Sequence, residues 1–310
     1  MIRWAYVAMT FVVAGAVSTR WWDTPSLHLP VVQSAFPFVG AVAIAWAALG
    51  LVSLRRRLAF VLPAVVVALV PASLAVGTLR PVTVAASPTD EVVAASNLEF
   101  GAADPRSLLA ELVGQKVSTL VLTEVTPEAA AAFDDAGGLA AFSHRVGRAQ
   151  PGADGTVILS KHPVTAISEV HVPGLFDQPV GTVHAPAGDY TLRAMHPYPP
   201  TSRLVRGWHR QLGEAANWVA AQPSGTPLVL AGDVNSSAAH PAFRRLADGL
   251  LDAHGSTGVG WVRTWPQGRT IPPFVQLDHI LVRDGHVVDA GTATIPGTDH
   301  ALVWARLRLG

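Results

Sequence analysis

The sequence predicts a layered sandwich of strands and helices, of the α/β or α+β class, preceded by apolar segments that cross a membrane. Two observations lead to this prediction. Charged residues make up 14% of the 310 residues and apolar residues 50%, whereas soluble domains average about 25% charged residues. After residue 80, short apolar runs typical of buried strands alternate with helical patterns.

Charge is divided unevenly along the chain. Residues 1–80 contain six arginines and one acidic residue, Asp23, giving a net charge of +5, and the rest of the chain has a net charge of −5. The sequence contains no cysteine. A disulfide scaffold, a cysteine zinc site and a thiol nucleophile are therefore excluded.

Three apolar runs occupy the first 80 residues, near residues 4–18, 31–54 and 58–77. Each approaches the roughly 20 residues that a helix needs to cross a bilayer. In an alternative interpretation, the first run is a signal peptide cleaved near Ala14-Gly15-Ala16. No ionisable residue lies deep inside any run, so we interpret residues 1–80 as a membrane anchor rather than a transport pathway.

The orientation of this anchor is predicted from Arg55-Arg56-Arg57, between the second and third runs. Short, positively charged loops stay in the cytoplasm. The third helix then leads outward, and residues 81–310 are expected on the extracytoplasmic side of the cell membrane, whether or not the first run is cleaved. The lipid bilayer is the predicted partner of the anchor, and the sequence indicates no particular protein partner.

Residues 81–90 form a polar, proline-marked linker, and residues 91–310 are predicted to form one catalytic domain. Six apolar runs predict buried strands: Val92–Ala95, Thr119–Leu122, Thr156–Leu159, Tyr190–Ala194, Leu228–Ala231 and Ile280–Val282. Helical patterns cover Ser107–Val113, Glu128–Ala141 and Leu204–Ala221. A tight turn at Ala187-Gly188-Asp189 is predicted to join two strands within Asp177–Met195.

Polar residues gather where these strands begin or end, which is where open sheets usually build a binding site. They are Asn97 and Glu99 after the first strand, Glu124 after the second, His196 after the predicted hairpin, Asp233 and Asn235 after Leu228–Ala231, Asp278 before Ile280, and Asp299 and His300 before the last strand.

Seven short motifs contain these residues and follow one another between Ala95 and Arg306. They are Ser96-Asn97-Leu98-Glu99, Leu122-Thr123-Glu124-Val125, the run from Gly155 to Pro163, Met195-His196-Pro197, Gly232-Asp233-Val234-Asn235, Leu277-Asp278-His279-Ile280 and Thr298-Asp299-His300. In this order they resemble the endonuclease/exonuclease/phosphatase superfamily, which has the deoxyribonuclease I-like fold. The resemblance implies an α+β fold, a four-layer α/β/β/α sandwich, with a divalent metal at one edge of its two sheets.

The resemblance also implies a set of metal ligands. Glu124 matches the glutamate that ligates the metal in this superfamily, and Asn97 matches its metal-proximal asparagine. Glu99 matches an auxiliary acidic ligand found in part of the superfamily. Asp299 is implied to contribute to the same metal site.

Five further residues are implied to act on the substrate. Asp233 would orient or deprotonate the attacking water, and Asn235 would hold a phosphate oxygen. His300 would be the general base or the transition-state partner, oriented by Asp278. His196 would contact the phosphate or help to protonate the leaving oxygen.

The chemistry agrees with these roles. A phosphodiester repels hydroxide, so its hydrolysis needs a cation on the phosphate oxygens and a positioned base. Carboxylate and amide oxygens suit Mg²⁺ or Mn²⁺. We therefore expect a membrane-anchored, Mg²⁺- or Mn²⁺-dependent phosphodiester hydrolase that is nuclease-like. The number of metal ions and the oligomeric state stay open.

Two alternatives share this fold: a phosphohydrolase of lipids or small phosphate esters, and a catalytically silent binding module. The phosphate-ester substrate can be a nucleic acid or a lipid head group. The net negative charge of residues 81–310 and the presence of only two lysines, Lys116 and Lys161, weaken the case for tight duplex binding.

Overall fold

The structure is a computed structural model of the chain that describes residues 2–26, 28–54, 58–77, 79, 84–170 and 175–309. Arg55-Arg56-Arg57, on which the predicted orientation depends, and residues 81–83 of the predicted linker lie outside the described residues. The α-helices described are α1 (Ile2–Ser18), α2 (Leu29–Ser34), α3 (Phe36–Ser53), α4 (Leu58–Gly77), α5 (Pro105–Gly114), α6 (Pro127–Asp135), α7 (Gly138–Ala141), α8 (Val205–Ala221), α9 (Pro241–Leu246) and α10 (Ala253–Ser256). Two 3-10 segments cover Thr19–Trp21 and Ser202–Leu204.

The strands are β1 (Glu91–Asn97), β2 (Thr119–Thr123), β3 (His144–Arg148), β4 (Thr156–Ser160), β5 (Val164–Val170), β6 (Gln178–Ala185), β7 (Gly188–Met195), β8 (Leu228–Asp233), β9 (Leu251–Asp252), β10 (Asp278–Arg283), β11 (His286–Thr294) and β12 (Ala301–Arg308). All six predicted strands are confirmed, as β1, β2, β4, β7, β8 and β10.

Two N-terminal helices, α3 and α4, are long and apolar enough to cross a membrane. The criterion is length and composition, which core helices of soluble proteins and signal sequences also satisfy. The first helix, α1, has 17 described residues and is shorter than both α3 and α4, so the described part of the chain contains two candidate membrane-spanning helices where three were predicted. The predicted span 31–54 is divided at Ala35, because Pro37 is accommodated in the first turn of a new helix, α3.

The strands form two six-stranded sheets. The first sheet has the order β11-β12-β1-β2-β4-β3, and the second has the order β5-β6-β7-β8-β10-β9. Within each sheet one central pair is parallel, β1 with β2 and β7 with β8. A helix connects each parallel pair, α5 in the first sheet and α8 in the second.

Side chains alternate between two cores along each central strand. Val93 and Ala95 of β1 face the core between the two sheets, whereas Val92 and Ala94 face the core beneath α5 and α6. The outer face of the second sheet packs against α8 and α9 through residues such as Trp208. This arrangement confirms the predicted α+β, four-layer sandwich. Because both faces of each sheet are covered, the strands appear in the sequence as continuous apolar runs.

Local differences from the sequence prediction occur at two glycines. Ala185 pairs with Gly188, so the hairpin turn lies at Pro186 and Ala187, one residue before the predicted position. The predicted helix over Glu128–Ala141 is divided at Gly137, which has a φ of 109°. This left-handed backbone conformation suits glycine and ends a helix.

The N-terminal helices contact the second sheet's side of the domain. His240 donates from Nε2 to the Pro30 carbonyl at 2.8 Å and accepts at Nδ1 from the Ser237 backbone N–H at 2.8 Å. Burial lowers the pKa of His240 to about 4, so this bridging ring is neutral at physiological pH. Asp23 pairs with His209 on α8 at 2.9 Å and with Arg245 on α9.

Candidate active site

The topology brings the predicted residues to one edge of the two sheets. The parallel strands β1, β2, β7 and β8 end at this edge, and β10 and β12 begin there because they run antiparallel to their neighbours. Four of the residues lie at the ends of strands or directly after them: Asn97, Glu124, His196 and Asp233. Two others lie where strands begin: Asp278 is the first residue of β10, and His300 directly precedes β12. Strand direction brings them to the same end of each sheet, and the face-to-face packing of the two sheets brings the two groups together.

Asn97 links the two sheets at this edge. Its Nδ2 donates to Glu124 Oε1 and to Asp233 Oδ2, both at 3.0 Å. Its Oδ1 accepts from the Glu99 backbone N–H at 2.9 Å, which orients the amide because that N–H is a donor. Asn97 therefore presents its nitrogen to the two carboxylates and acts as a donor that positions them.

Glu124 lies in a left-handed backbone conformation, with φ at 56°. Such a conformation is uncommon for a residue with a side chain and frequently marks a functional site. Its Oε2 accepts from the Phe100 backbone N–H at 2.9 Å. Burial raises the pKa of Glu124, opposed by the hydrogen bonds from Asn97 and Phe100. Each carboxylate oxygen keeps lone pairs for a metal ion.

His300 and Asp278 form a buried pair, with Nδ1 2.9 Å from Asp278 Oδ2. This contact leaves Nε2 facing the site, 3.8 Å from Asp233 Oδ2 and 3.8 Å from Asp299 Oδ1. Burial opposes protonation of His300, but the negative charges of Asp278, Asp233 and Asp299 outweigh it and raise the pKa of the ring. The predicted orientation of His300 by Asp278 agrees with this geometry.

Asp233 is 2% exposed and lies between Asn97 and His300. Its Oδ1 accepts from the Asn235 backbone N–H at 2.8 Å. Burial raises the pKa of Asp233, and the nearby His300 opposes this increase. Asn235 has a φ of 48° and donates from Nδ2 to the Pro197 carbonyl at 3.1 Å, which connects the β8 loop to the end of β7.

His196 is buried against Phe176, with ring centroids 4.7 Å apart. Its Nε2 lies 3.8 Å from Glu124 Oε1. Burial and the neighbouring His300 lower the pKa of His196 to about 3. At physiological pH, His196 is therefore a neutral hydrogen-bonding group and not an acid.

Glu99 and Asp299 lie at the outer side of the site and share Arg269 as a counter-charge. Arg269 pairs closely with Glu99, and its Nη2 is 3.7 Å from Asp299 Oδ2. Trp265 also donates from Nε1 to Asp299 Oδ2, at 3.0 Å. A metal ion bound by Glu99 or Asp299 would share these carboxylates with Arg269.

The donor set fits a divalent cation. Glu124, Asp233 and Asp299 offer carboxylate oxygens, which are the ligands that hard cations prefer. Asp233, Asp278 and His300 also have ligand atoms within 4.8 Å of one another, and the buried Asp278 Oδ1 has no hydrogen-bond partner among the described residues. A cation here would compensate buried negative charge that protein groups neutralise only in part.

Sequence reasoning missed three residues that support the site. Thr298 donates from Oγ1 to the Asn97 carbonyl at 2.8 Å and accepts from the His300 backbone N–H at 3.1 Å. Thr298 belongs to the Thr298-Asp299-His300 motif, so the motif could have identified it from the sequence as a residue that supports the site. Trp265 and Arg269 lie on a long loop with no repeating pattern, and no sequence signal marks them.

The sequence model of the Endonuclease/Exonuclease/phosphatase family matches residues 94–300. The match begins inside β1 and ends at His300, so it covers all nine predicted site residues. No curated protein matches the chain.

Solved structures share the fold at low sequence identity. An endonuclease/exonuclease/phosphatase from Beutenbergia cavernae is 19% identical over 72% of each chain, with a TM-score of 0.53. D. rerio TDP2 complexed with a single strand DNA product is 14% identical over 71% of this chain and 99% of its own, with a TM-score of 0.57. Sphingomyelinase C from Streptomyces griseocarneus is 16% identical over 71% and 99%, with a TM-score of 0.52.

Proposed function

Because the chain belongs to the endonuclease/exonuclease/phosphatase family, we propose that it is a membrane-anchored, metal-dependent phosphodiester hydrolase. The observation that carries the proposal is the His300–Asp278 pair. His300 Nδ1 lies 2.9 Å from Asp278 Oδ2, and His300 Nε2 faces Asp233. A histidine held in this way by a carboxylate has one nitrogen left for water or a phosphate oxygen.

The roles follow from these positions. Glu124, with Asp299, would hold Mg²⁺ or Mn²⁺, which when bound supplies positive charge to the phosphate oxygens. Asp233 would orient water, since its carboxylate lies between the Asn97 amide and His300 Nε2. Asn97 would keep Glu124 and Asp233 at a constant separation, and His196 would contact the phosphate as a neutral ring.

Membrane anchoring is supported by the exposure of apolar side chains on α3 and α4. Val42, Leu62, Val66 and Leu69 are 56% to 62% exposed, and the two helices are 28% and 22% buried within the protein. Core helices of soluble proteins bury most of their apolar surface, so this exposure favours a surrounding bilayer. The extracytoplasmic orientation remains our proposal from the sequence.

The fold by itself does not select the substrate. The structural neighbours include one complex with a DNA product and one sphingomyelinase, and both a nucleic acid and a lipid head group contain the phosphodiester that this site would hydrolyse. We therefore propose the reaction class first and treat the substrate separately below.

The test uses the full chain in detergent micelles, with Mg²⁺, Mn²⁺ or EDTA, on plasmid DNA, sphingomyelin and a soluble phosphate diester. His300→Ala and Glu124→Gln are expected to lower turnover by about 10²- to 10⁴-fold. His286→Ala, an exposed histidine of β11, is the matched control and should retain wild-type turnover. Wild-type turnover in both site variants would show that the site is wrongly assigned. Absence of metal-dependent turnover on all three substrates would favour the silent binding module.

A further inference from the structure

A cavity of about 540 Å³ lies between the N-terminal helices and the catalytic domain. Its helical wall includes Phe36, Gly40 and Ile44 of α3 and Leu74 of α4, and its domain wall includes Ala239 and Trp261. Pockets for small ligands have volumes of roughly 300–1,000 Å³. The cavity is thus large enough for a ligand and is bounded on one side by the two helices that are apolar enough to cross a membrane.

The cavity has an apolar end and a polar end. Ile44 follows Phe36 by eight residues, about 12 Å along the axis of α3, so the apolar wall extends well along the helix. The polar lining residues Ser34 and Ser237 lie at the opposite end, where the helices meet the domain. Ser34 Oγ is 3.3 Å from His240 Nε2, and the Ser237 backbone N–H donates to Nδ1 of the same ring. This polarity matches an amphiphile whose chain lies along the helices.

Arg20 adds a positive charge to the lining. It is only 9% exposed, and its guanidinium lies 5.2 Å from the centroid of the Phe36 ring. Within the described part of the chain, its guanidinium has no hydrogen bond or ion pair. A buried cation is costly unless it is paired, so Arg20 favours a ligand that carries negative charge.

The cavity and the candidate active site are built in part from the same chain segments. Ser237 follows Asn235 by two residues, and Gln276 precedes Asp278 by two residues. Asn235 and Asp278 both belong to the sheet edge that carries the site, so two short chain segments contribute residues to both the cavity and the site. A chain in the cavity would hold its head group near that edge.

We propose that this cavity binds the hydrocarbon chain of a membrane lipid that carries a phosphate ester, and that this lipid is the substrate. The substrate part rests on the proposed hydrolase function. Arg20 attracts the negative head group, α3 and α4 supply the path from the bilayer, and the site at the sheet edge receives the phosphodiester.

Binding is tested separately from catalysis. The His300→Ala chain is placed in bilayer nanodiscs that contain phosphatidylglycerol with a photoactivatable group on one acyl chain. Ala41→Trp then fills the cavity, because Ala41 lines it and is exposed on α3. Ala48→Trp is the matched control, since Ala48 is exposed on the same helix and does not line the cavity.

Ala41→Trp is expected to lower cross-linking on the order of tenfold, since excluding even two methylene groups costs about that factor in affinity. Ala48→Trp should leave cross-linking unchanged. Arg20→Gln should reduce the preference for phosphatidylglycerol over zwitterionic phosphatidylcholine. Equal cross-linking in the two tryptophan variants would overturn the proposal.

Catalysis is then measured with His300 present, on a long-chain phospholipid, its short-chain soluble analogue and a DNA oligonucleotide. Ala41→Trp should slow hydrolysis of the long-chain lipid alone. Hydrolysis of DNA without hydrolysis of lipid would overturn the substrate assignment. A third outcome separates binding from catalysis. If Ala41→Trp loses cross-linking but the protein hydrolyses no substrate in the presence of metal, lipid binding is supported. The hydrolase function and the role of the lipid as substrate are then both overturned.

Discussion

The N-terminal helices and the two-sheet domain are both rich in apolar residues, yet they place those residues in opposite positions. On α4, Leu62 is 62% exposed, whereas Leu192 of β7 is fully buried between the sheets. Burial inside the protein removes apolar surface from water in the domain, and under the proposed membrane anchoring a bilayer would do so for the helices. The comparison shows that apolar composition alone does not distinguish a core from a membrane surface.

A third region, the junction between helices and domain, differs from both. It is formed by polar contacts such as His240 with Pro30 and Asp23 with His209, together with the apolar cavity. Aromatic packing of Phe38 against Trp261 and Phe274 adds to these contacts. Because the hydrogen bonds at the junction are directional, we expect it to respond to single polar substitutions.

The largest expected effect is on catalysis within the domain. Asp278→Asn removes the carboxylate that orients and charges His300, so hydrolysis should fall by about 10²- to 10⁴-fold. The measurement is kcat with saturating Mg²⁺. Asp248→Asn, an exposed aspartate, serves as control, and an unchanged kcat in Asp278→Asn would remove Asp278 from the mechanism.

The next prediction tests the two leucines directly. Leu192→Ala should lower the free energy of unfolding of the catalytic domain by about 2–5 kcal/mol, because it leaves a cavity between the sheets. Leu62→Ala should change it by less than about 0.5 kcal/mol, since its side chain faces away from the protein. Denaturant unfolding of the detergent-solubilised chain measures both, and equal losses would contradict the comparison.

A smaller effect is expected at the junction. His240 and His254 are both buried and each donates to a backbone carbonyl, of Pro30 and Gly291 respectively. Replacing either with Ala should cost about 1–3 kcal/mol. Only His240→Ala should increase proteolysis at the contact between the helices and the domain. Equal proteolysis in the two variants would mean that His240 does not hold this contact.

The smallest effect is expected at Asp23. Burial opposes ionisation of Asp23, but its hydrogen bonds with His209 and Arg245 outweigh burial and lower its pKa. Its contribution is therefore present above the unfolded pKa of about 3.8 and is lost as the pH falls below it. Asp23→Asn should cost about 0–1 kcal/mol at neutral pH. Denaturant unfolding of both chains at pH 7 and at pH 3 measures this, and a larger loss in Asp23→Asn at pH 3 than at pH 7 would contradict the assignment.

Much of the domain was predictable because the strands are buried on both faces. Val92–Ala95 and Leu228–Ala231 stand out as apolar runs, and the residues that follow them lie at the predicted edge. The division of the span 31–54 at Ala35 was not predicted, although Pro37 was visible. The pattern of hydropathy does not change there, and only the backbone shows that a second helix begins.

The sequence by itself determined which residue types stand where the strands begin or end, among them Glu124, Asp233 and His300. The packing of one sheet on the other, which only the tertiary structure shows, brings them together. Tertiary structure alone decided how those groups are oriented and neutralised. Asn97 turns its nitrogen to the carboxylates because the Glu99 backbone N–H occupies its oxygen, and Arg269 reaches Glu99 from 170 residues away. The cavity beside Arg20 likewise exists only because distant helices meet the domain, and contacts between distant segments leave no periodic pattern in a sequence.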